Sequence, residues 1–343
     1  MNKIIIASTR KNAGKTGVII GMARAMQGKF GYVKPFGDRL FYRKKRLWDH
    51  DSALIINIFN LERDPEDLSI GFDHAKIKYM YDENTIRERL SDLVVQSGGD
   101  ENIVFIEGGR DLTYGASVNL DAVSVARHTN GKLVIVVSGD DEMIMDDLSF
   151  IRRYVDLSSV DLRGVILNKV KDPDDFKNTY LDGIERMGID VIGIIPYTRE
   201  LIHMSVGTLV ERIFVKVIAG EGGMDNVIHN IFIGAMSGTT AQMDPLFKRG
   251  NKLIITSGDR SDMILTALES DTACVILTNN IVPSPTIISR ASELNVPLLL
   301  VSDDTYQVAR QIDSMDIVVA KNETGKIHML ENLVAENVDI LKI

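Results

Sequence analysis

The sequence contains little cysteine and no long run of apolar residues. Its single cysteine, Cys274, cannot form a disulfide within the chain, and the surrounding letters TACVILT are typical of a buried strand. A membrane-spanning helix needs about 20 apolar residues, whereas the longest apolar runs, at 133–137 and 296–301, have the length of a strand. The apolar run at 4–7 is too short for a secretory signal. We therefore expect a cytoplasmic protein with no membrane partner.

Positive charge is also in short supply. The 343 residues include 39 Lys and Arg against 48 Asp and Glu, which gives a net charge of −9. A field of this sign repels nucleic acid and anionic membrane surfaces, so we expect neither as a partner. Hydrophobic residues make up 45 % and charged residues 25 %, which excludes a disordered or collagen-like chain. At about 150 residues per domain, the length corresponds to two domains.

Short β-branched runs alternate with helix-length amphipathic stretches, a pattern typical of parallel sheets built from βαβ units. The first series predicts strands at 3–7, 31–34, 103–107, 133–138, 164–168 and 190–195, and helices at 15–27, 85–97, 120–128, 144–155 and 175–187. The second predicts strands at 231–235, 253–256, 273–278 and 297–301, and helices at 262–269, 286–295 and 305–312. Between them the glycine-rich segment AGEGGMD breaks the pattern. We predict a doubly wound, mostly parallel α/β domain over 1–218, a linker over 219–225 and a second, smaller α/β domain over 226–343.

The segment STRKNAGKT, residues 8–16, lies between the first predicted strand and helix, which is where a P-loop occurs. Backbone N–H groups at a helix N-terminus can hold phosphate oxygens. Gly14 would let the backbone approach, Lys15 would contact the β- and γ-phosphates, and the Thr16 hydroxyl would ligate Mg²⁺. Thr9 replaces the usual glycine, and the alternative is that this segment only begins a helix. The residues predicted to bind a nucleotide here are Thr9, Lys11, Asn12, Ala13, Gly14, Lys15, Thr16 and Gly17.

Polar residues end two further predicted strands. Glu107 ends strand 103–107 and is followed by two glycines. Because ligands collect at the carboxyl ends of strands in α/β sheets, Glu107 would lie beside the P-loop and bind Mg²⁺ directly or through water. An exposed strand-end carboxylate is the alternative. Asn168 ends strand 164–168, where its amide could pair with an adenine edge or simply form a turn.

Asp49, His50 and Asp51 form a third polar cluster. Zinc sites usually take more His or Cys ligands, and no second cluster is evident in the sequence, which argues against a transition metal. We expect Asp51 to ligate Mg²⁺ through oxygen. The alternative is that Asp49 or Asp51 caps the helix predicted to follow.

Six short motifs in the first 215 residues resemble the dethiobiotin-synthetase-like P-loop domain, a family similar to the ATPase domains of cobyrinate amidotransferases. They are GKT at 14–16, YVKP at 32–35, DHD at 49–51, IEGG at 106–109, LNK at 167–169 and GIIP at 193–196. The resemblance implies ATP and Mg²⁺ as cofactors, with Lys15 stabilising γ-phosphoryl transfer and Lys34 holding anionic substrate or phosphate. Arg10 stands where the related partitioning ATPases carry a second lysine, and it either serves that role or is a solvated loop cation. The loop at 108–115 departs from the synthetase pattern, which implies a different acceptor or none.

The remaining residues, about 225–343, resemble a DRTGG domain. The letters GDRSD at 258–262 match its first motif, and TNN at 278–280 occupies the place of its threonine and two glycines. Asn tolerates left-handed backbone better than most residues, so the turn can survive while the ligand space shrinks. A salt-bridge and turn-capping cluster is the alternative. The residues predicted to hold a small-molecule ligand are Gly258, Asp259, Arg260, Asp262, Thr278, Asn279 and Asn280.

This order of domains is similar to the N-terminal region of the long bacterial phosphotransacetylases, which is regarded as regulatory. Their catalytic domain would follow residue 343, so the resemblance does not carry acetyl transfer to this chain, and we do not expect a phosphotransacetylase. The first hypothesis is an ATP- and Mg²⁺-binding module coupled to a ligand-sensing DRTGG module, acting as a regulator. The second is an ATPase or an ATP-dependent carboxylate-activating ligase, and the third is a non-catalytic scaffold. We also expect a homo-oligomer.

Overall fold

A computed structural model describes residues 1–43, 45–99, 102–213, 215–313, 319 and 323–343 of the chain. The chain divides into two units, one formed by Met1–Thr198 with Val319–Ile343 and the other by Arg199–Val318. Within the described ranges, no helix is both long enough and apolar enough to cross a bilayer.

Both units contain strands and helices. The strands are β1 (Asn2–Ser8), β2 (Gly31–Val33), β3 (Leu40–Arg43), β4 (Arg46–Asp49), β5 (Ile103–Glu107), β6 (Lys132–Ser138), β7 (Asp161–Val170), β8 (Val191–Pro196), β9 (Met204–Ser205), β10 (Lys216–Ala219), β11 (Val227–Ile228), β12 (Asn230–Ile233), β13 (Lys252–Ser257), β14 (Thr272–Thr278) and β15 (Leu298–Leu300). The helices are α1 (Lys15–Ala25), α2 (His50–Phe59), α3 (His74–Met80), α4 (Glu83–Gly98), α5 (Ala122–Thr129), α6 (Asp141–Tyr154), α7 (Pro173–Arg186), α8 (Val206–Arg212), α9 (Gly238–Ala241), α10 (Ser261–Leu268), α11 (Pro285–Glu293), α12 (Thr305–Asp313) and α13 (Thr324–Asn337).

A six-stranded parallel sheet, in the order β2-β5-β1-β6-β7-β8, forms the centre of the first unit. Its strands are nearly continuous apolar runs because helices cover the sheet and bury both faces. The chain leaves β1 towards β2 on one side and later crosses from β5 to β6 on the other, so the strand order reverses at β1. The predicted doubly wound α/β fold is confirmed. The antiparallel hairpin of β3 and β4 was not predicted.

The second unit contains a five-stranded sheet in the order β10-β15-β14-β13-β12. Strands β12 to β15 are parallel, and β10 joins the edge antiparallel to β15. The predicted smaller α/β domain is confirmed. Cys274 is buried in β14, where burial raises the pKa of its thiol, as expected for a structural cysteine.

The C-terminal helix α13 packs against α1 within the first unit. A Cβ atom placed on Gly21 would overlap the Val334 side chain, and one on Gly17 would lie 3.4 Å from Leu330. Gly21 therefore allows the two helices to approach closely, while Gly17 lies one helical turn away on the same face. This division differs from the predicted boundaries, which assign 226–343 to the second domain. It also places the segment predicted as a linker, 219–225, inside the second unit.

Candidate functional site

The loop at 9–14 leaves β1 where the strand order reverses, which is the place where open α/β sheets bind ligands. Thr9 donates its backbone N–H to the carbonyl of Val136, which ties the start of the loop to β6. Asn12 and Gly14 have φ angles of 63° and 100°, so the loop contains two left-handed residues. Glycine adopts such angles without steric cost, which explains its presence before α1.

The N-terminus of α1 differs from those of α2 to α7. Each of these six helices begins at an aspartate whose carboxylate accepts hydrogen bonds from first-turn N–H groups. These caps are Asp49, Asp73, Asp82, Asp121, Asp140 and Asp172. Gly14 precedes α1 and has no side chain with which to cap it. The first turn of α1 therefore retains the positive end of its dipole for an anion.

Lys15 is the first residue of α1, and its side chain is only 8 % exposed. Its Nζ donates to Ser8 Oγ at 2.9 Å and lies 3.5 Å from the carbonyl oxygen of Arg110. Burial lowers the pKa of this ammonium group, although the Glu107 carboxylate acts in the opposite direction. A bound anion would compensate for the lost hydration of this cation.

Glu107, at the end of β5, lies beside α1, as predicted. Thr16 Oγ1 donates to its Oε1 at 2.9 Å, and the Tyr32 hydroxyl donates to Oε2 at 2.8 Å. Burial and the nearby Asp51 raise the pKa of Glu107 to about 7. Hydroxyl and carboxylate oxygens are the ligands that Mg²⁺ prefers, so Thr16 and Glu107 are suited to hold this ion.

We expect Glu107 to give the free protein a pH-dependent stability. Its pKa is about 7 in the folded chain and about 4.3 in an unfolded one, so the folded state binds an additional proton between these values. Stability conferred by that proton is lost as the pH rises. From pH 5 to pH 8, wild type should lose about 2–3 kcal/mol relative to Glu107→Gln, whose side chain does not titrate. Urea unfolding without Mg²⁺, followed by Trp48 fluorescence, measures this difference, and parallel pH profiles would contradict the prediction.

Lys34 directly follows β2 and is 1 % exposed. Its Nζ lies 2.6 Å from Asp38 Oδ1, 2.6 Å from Asp51 Oδ2 and 3.3 Å from Asp49 Oδ2. Burial alone would lower the pKa of this ammonium group, but the surrounding carboxylates outweigh burial and raise it. Lys34 therefore neutralises buried carboxylates, whereas the resemblance implied a cation presented to substrate or phosphate. The Lys34 ammonium group is not presented to a ligand because three carboxylates of the protein already surround it.

The two aspartates of the DHD motif have different partners. Asp49 Oδ1 accepts the backbone N–H groups of Asp51 and Ser52 and caps α2, which was the predicted alternative. Asp51 Oδ1 accepts from Arg39 Nη1 at 2.7 Å, and its Oδ2 pairs with Lys34. Although burial raises the pKa of Asp51, these two cations hold it well below its usual range. The predicted Mg²⁺ contact would require Asp51 to exchange one of these partners.

The carboxylates of Asp38, Asp49 and Asp51 offer oxygens within 4.8 Å of one another, a spacing suited to a cation. In this structure the cation among them is the Lys34 ammonium group. Asp38 and the Tyr32 hydroxyl were not predicted from the sequence. The YVKP motif contains Tyr32, and its presence in that motif was the one sequence feature that could have pointed to this hydroxyl.

Arg10, a cation of the loop at 9–14, contacts a carboxylate of α6. Arg10 donates from Nε and Nη2 to the Asp147 carboxylate of α6 at 2.9 and 2.8 Å, so it is ion-paired rather than simply solvated. Lys11 is exposed.

Asn168 lies at the end of β7, and its Nδ2 donates to the carbonyl of Ala13 at 2.7 Å. Asn168, whose amide was expected either to pair with an adenine edge or to form a turn, thus contacts the loop at 9–14.

A cavity of about 510 Å³ lies against the loop that follows Glu107. Its lining residues are His74, Arg110, Asp111, Thr113, Tyr114, Gly115, Ala116 and Ser117. The Arg110 guanidinium lies 4.6 Å from the ring centroid of Tyr114, and the Arg110 carbonyl accepts from Ser8 Oγ at 3.3 Å. One wall of the cavity is therefore connected to the end of β1.

In the second unit, the predicted ligand residues meet at the carboxyl ends of β13 and β14. Asp262 Oδ2 accepts the Gly238 N–H at 3.0 Å, and Arg260 Nη2 donates to the Met236 carbonyl at 2.6 Å. Arg260 Nε also lies 3.4 Å from Asp262 Oδ1. These contacts match the predicted alternative, a salt-bridge and capping cluster.

The predicted ligand residues Asn279 and Asn280, which follow β14, have left-handed backbone conformations. Asn279 and Asn280 have φ angles of 60° and 54°, so they take the left-handed shape expected of the glycines they replace. A Cβ on Gly258 would overlap the Ile281 carbonyl, which explains the glycine. Asp259 is exposed and Thr278 is fully buried.

The AAA domain family AAA_26 matches residues 2–205, more than half of the chain. The chain belongs to this AAA domain family. Residues 208–315 match the DRTGG domain. The predicted resemblance, a P-loop domain followed by a DRTGG domain as in the phosphotransacetylases, is confirmed.

Relatives of this AAA domain protein include longer enzymes. It is 24 % identical to the phosphate acetyltransferase of Pseudomonas putida over 99 % of this chain and 51 % of that protein. The chain spans about half the length of the curated relatives it matches.

Two solved structures are similar to parts of this chain. The cobyrinic acid a,c-diamide synthase of Mycobacterium smegmatis, with bound ATP analog and magnesium, is 12 % identical with a TM-score of 0.37, covering 58 % of this chain and 88 % of that one. The CBS and DRTGG domains of Clostridium perfringens pyrophosphatase, complexed with diadenosine tetraphosphate, are 20 % identical with a TM-score of 0.29. That match covers 37 % of this chain and 60 % of the pyrophosphatase chain.

Proposed function

We propose that the AAA domain binds ATP with Mg²⁺ and that the DRTGG domain couples this binding to a small-molecule ligand, in a regulatory role. The observation that carries the proposal is the junction of β1 and α1, where an uncapped helix N-terminus, the buried Lys15 and the Thr16–Glu107 pair converge. Lys15 would bind the β- and γ-phosphates, while Thr16 and Glu107 would hold the Mg²⁺ ion.

Charge supports this assignment. Lys15 is a cation whose burial disfavours its charged form, and Glu107 is a carboxyl group whose burial favours its neutral form. A polyphosphate supplies the anion that Lys15 lacks, and Mg²⁺ supplies the cation that ionises Glu107. Mg²⁺ and ATP together therefore neutralise both residues, whereas ATP alone would neutralise only Lys15 and Mg²⁺ alone only Glu107.

Calorimetric titration of the full chain with ATP, in Mg²⁺ and in EDTA, tests this proposal. We expect one site per chain and an affinity about tenfold or more higher in Mg²⁺. Glu107→Gln should remove most of that metal dependence and leave metal-free binding at least as tight, because the substitution removes a partly ionised carboxylate from beside the phosphate site. Absence of binding at millimolar ATP would contradict the proposal and favour the scaffold hypothesis.

The coupling to the DRTGG domain has its own measurement. A ligand that binds only the folded state raises its melting temperature. A thermal-shift panel of phosphorylated metabolites, with and without saturating ATP, should identify a compound whose shift depends on ATP. If every shift is the same in both conditions, the two domains are not coupled.

The cavity beside Arg110 favours a second candidate function, an ATP-dependent carboxylate-activating ligase. Its wall is linked through Ser8 to Lys15, so an acceptor bound there would lie near the transferred phosphoryl group. Release of ADP only when a particular carboxylate is added would support this function. Background ADP release with every acid, from protein proven to bind ATP, would exclude it.

A further inference from the structure

Tyr32 directs its hydroxyl group from β2 to the carboxylate of Glu107. Strand β2 runs parallel to β5, with Tyr32 paired to Phe105 and Val33 paired to Ile106. Paired residues of neighbouring strands share a face of the sheet, as do residues two apart on one strand, so Tyr32 and Glu107 lie on the same face. The Tyr32 side chain is 1 % exposed, and its hydroxyl donates to Glu107 Oε2 at 2.8 Å. This contact is therefore part of the buried sheet and not of a surface loop.

The two carboxylate oxygens of Glu107 have different partners. Oε1 accepts from Thr16 Oγ1 of α1 at 2.9 Å, whereas Oε2 accepts from the Tyr32 hydroxyl of β2. Glu107 is itself 1 % exposed, so water does not readily replace either donor. The two hydrogen bonds therefore fix the rotation of the carboxylate, with Oε1 towards α1 and Oε2 towards β2.

Of these two hydrogen bonds, the one from Tyr32 is compatible with a metal ion held by Thr16 and Glu107. A threonine hydroxyl that ligates a metal turns a lone pair to the ion, and its proton then points away from the ion. Tyr32 is not needed as a ligand and can continue to donate. Burial and the Glu107 charge raise the pKa of Tyr32 well above its usual value, so its hydroxyl keeps its proton. Tyr32 is thus the group that orients Glu107 when a metal is bound.

The orientation of this carboxylate bears on the choice between Mg²⁺ and Ca²⁺. Mg²⁺ takes octahedral oxygen ligands at about 2.0–2.1 Å, which places adjacent ligands about 2.9 Å apart, whereas Ca²⁺ is larger and often binds both oxygens of one carboxylate. Thr16 Oγ1 and Glu107 Oε1 already have the Mg²⁺ spacing, at 2.9 Å. For both Glu107 oxygens to contact an ion held by Thr16, Oε2 must turn away from Tyr32. Oε2 retains a second lone pair, so it is the fixed rotation of the carboxylate that opposes this change.

We propose that Tyr32 is a positioning residue that holds Glu107 with Oε1 presented to the metal and thereby makes the site select Mg²⁺ over Ca²⁺. The inference rests on the proposed function, because it requires that Thr16 and Glu107 hold a metal ion beside ATP.

Calorimetric titration of the full chain with ATP, in saturating Mg²⁺, in saturating Ca²⁺ and in EDTA, tests this role. Tyr32→Phe removes only the hydroxyl and should lower the ratio of the ATP affinity in Mg²⁺ to that in Ca²⁺ by about tenfold, as is typical for loss of a partner of a metal ligand. The affinity of free ATP for each ion is the same for both proteins and cancels in this comparison. A general loosening of the fold would lower both affinities together and leave their ratio unchanged.

Two further variants show whether Tyr32 acts through Glu107. In a Glu107→Gln background, Tyr32→Phe should cause no further change in the metal dependence of ATP binding. Glu107→Asp keeps the charge but withdraws the carboxylate from Tyr32, so it should lower the same ratio and keeps the test valid should Tyr32→Phe fold poorly. Tyr180→Phe is the matched control and should keep the wild-type ratio, because Tyr180 is a half-buried residue of α7 that packs against Phe176.

The results for wild type and variant separate failure of this inference from failure of the proposed function. If wild type binds ATP more tightly in Mg²⁺ than in EDTA but Tyr32→Phe keeps the wild-type ratio of Mg²⁺ to Ca²⁺ affinities, Tyr32 does not determine the choice of metal and the inference is wrong. If Tyr32→Phe weakens binding equally with both ions, its role is structural and the inference is again wrong. If wild type binds no ATP, or binds it equally in Mg²⁺ and EDTA, the proposed function fails and this inference fails with it.

Discussion

Lys15→Met is expected to weaken the binding of ATP with Mg²⁺ by roughly 30- to 150-fold, because a charge-assisted contact contributes about 2–3 kcal/mol. The reason is the position of the ammonium group at the start of α1, where it would contact phosphate oxygens directly. Methionine has a similar length and no charge, so it removes this contact while filling the space. Equilibrium dialysis of wild type and variant against ATP measures the ratio of the two affinities.

The same substitution should leave the nucleotide-free protein at least as stable as wild type. Burial lowers the pKa of Lys15 in the folded chain, so its charge disfavours folding at neutral pH. Weak ATP binding by a variant of undiminished stability cannot be attributed to misfolding. Lys29→Met, at an exposed position after α1, is the control and should bind ATP like wild type. Equal ATP affinity in Lys15→Met and wild type would refute the assignment of Lys15.

The sequence allowed most of the sheet and part of the site to be predicted. Each strand of the parallel sheet is an apolar run, and Glu107 ends its run in the strand beside β1, so its proximity to Thr16 follows from strand order. Local pattern is sufficient for such features because a buried parallel strand must be apolar along its length. The position of helix α13 cannot be predicted from local sequence pattern. Its place depends on the close approach that Gly21 of α1 allows, more than 300 residues earlier in the chain.

The partners of the charged residues could not be predicted in the same way. The DHD motif suggests an open oxygen site, yet its occupant is Lys34, which reaches it only through the tertiary fold. The strand-end position of Asn168 suggests a contact with a ligand. The bulge at Lys169 instead directs the Asn168 amide to the loop at 9–14, and a one-residue register shift leaves no clear signature in the letters LNK.

Lys34→Met is expected to destabilise the first unit by about 3–5 kcal/mol, because removing one partner leaves buried charges uncompensated. Asp38, Asp49 and Asp51 would remain within 4.8 Å of one another, with Arg39 as the cation paired to Asp51. The sequence contains a single tryptophan, Trp48, which lies in β4 and reports unfolding of this unit. Urea unfolding followed by its fluorescence measures the loss.

A matched substitution separates the charge effect from the loss of a lysine. Lys3 Nζ donates to the neutral carbonyl of Thr129 at 2.8 Å, so Lys3→Met leaves no charge uncompensated and should cost only about 1–2 kcal/mol. The loss in Lys34→Met should also be smaller at pH 5 than at pH 8, because carboxylates released from Lys34 have higher pKa values and take up protons as the pH falls. Equal losses in the two variants, or a loss for Lys34→Met that does not change with pH, would mean that Lys34 stabilises the fold by packing and not by neutralising the three carboxylates.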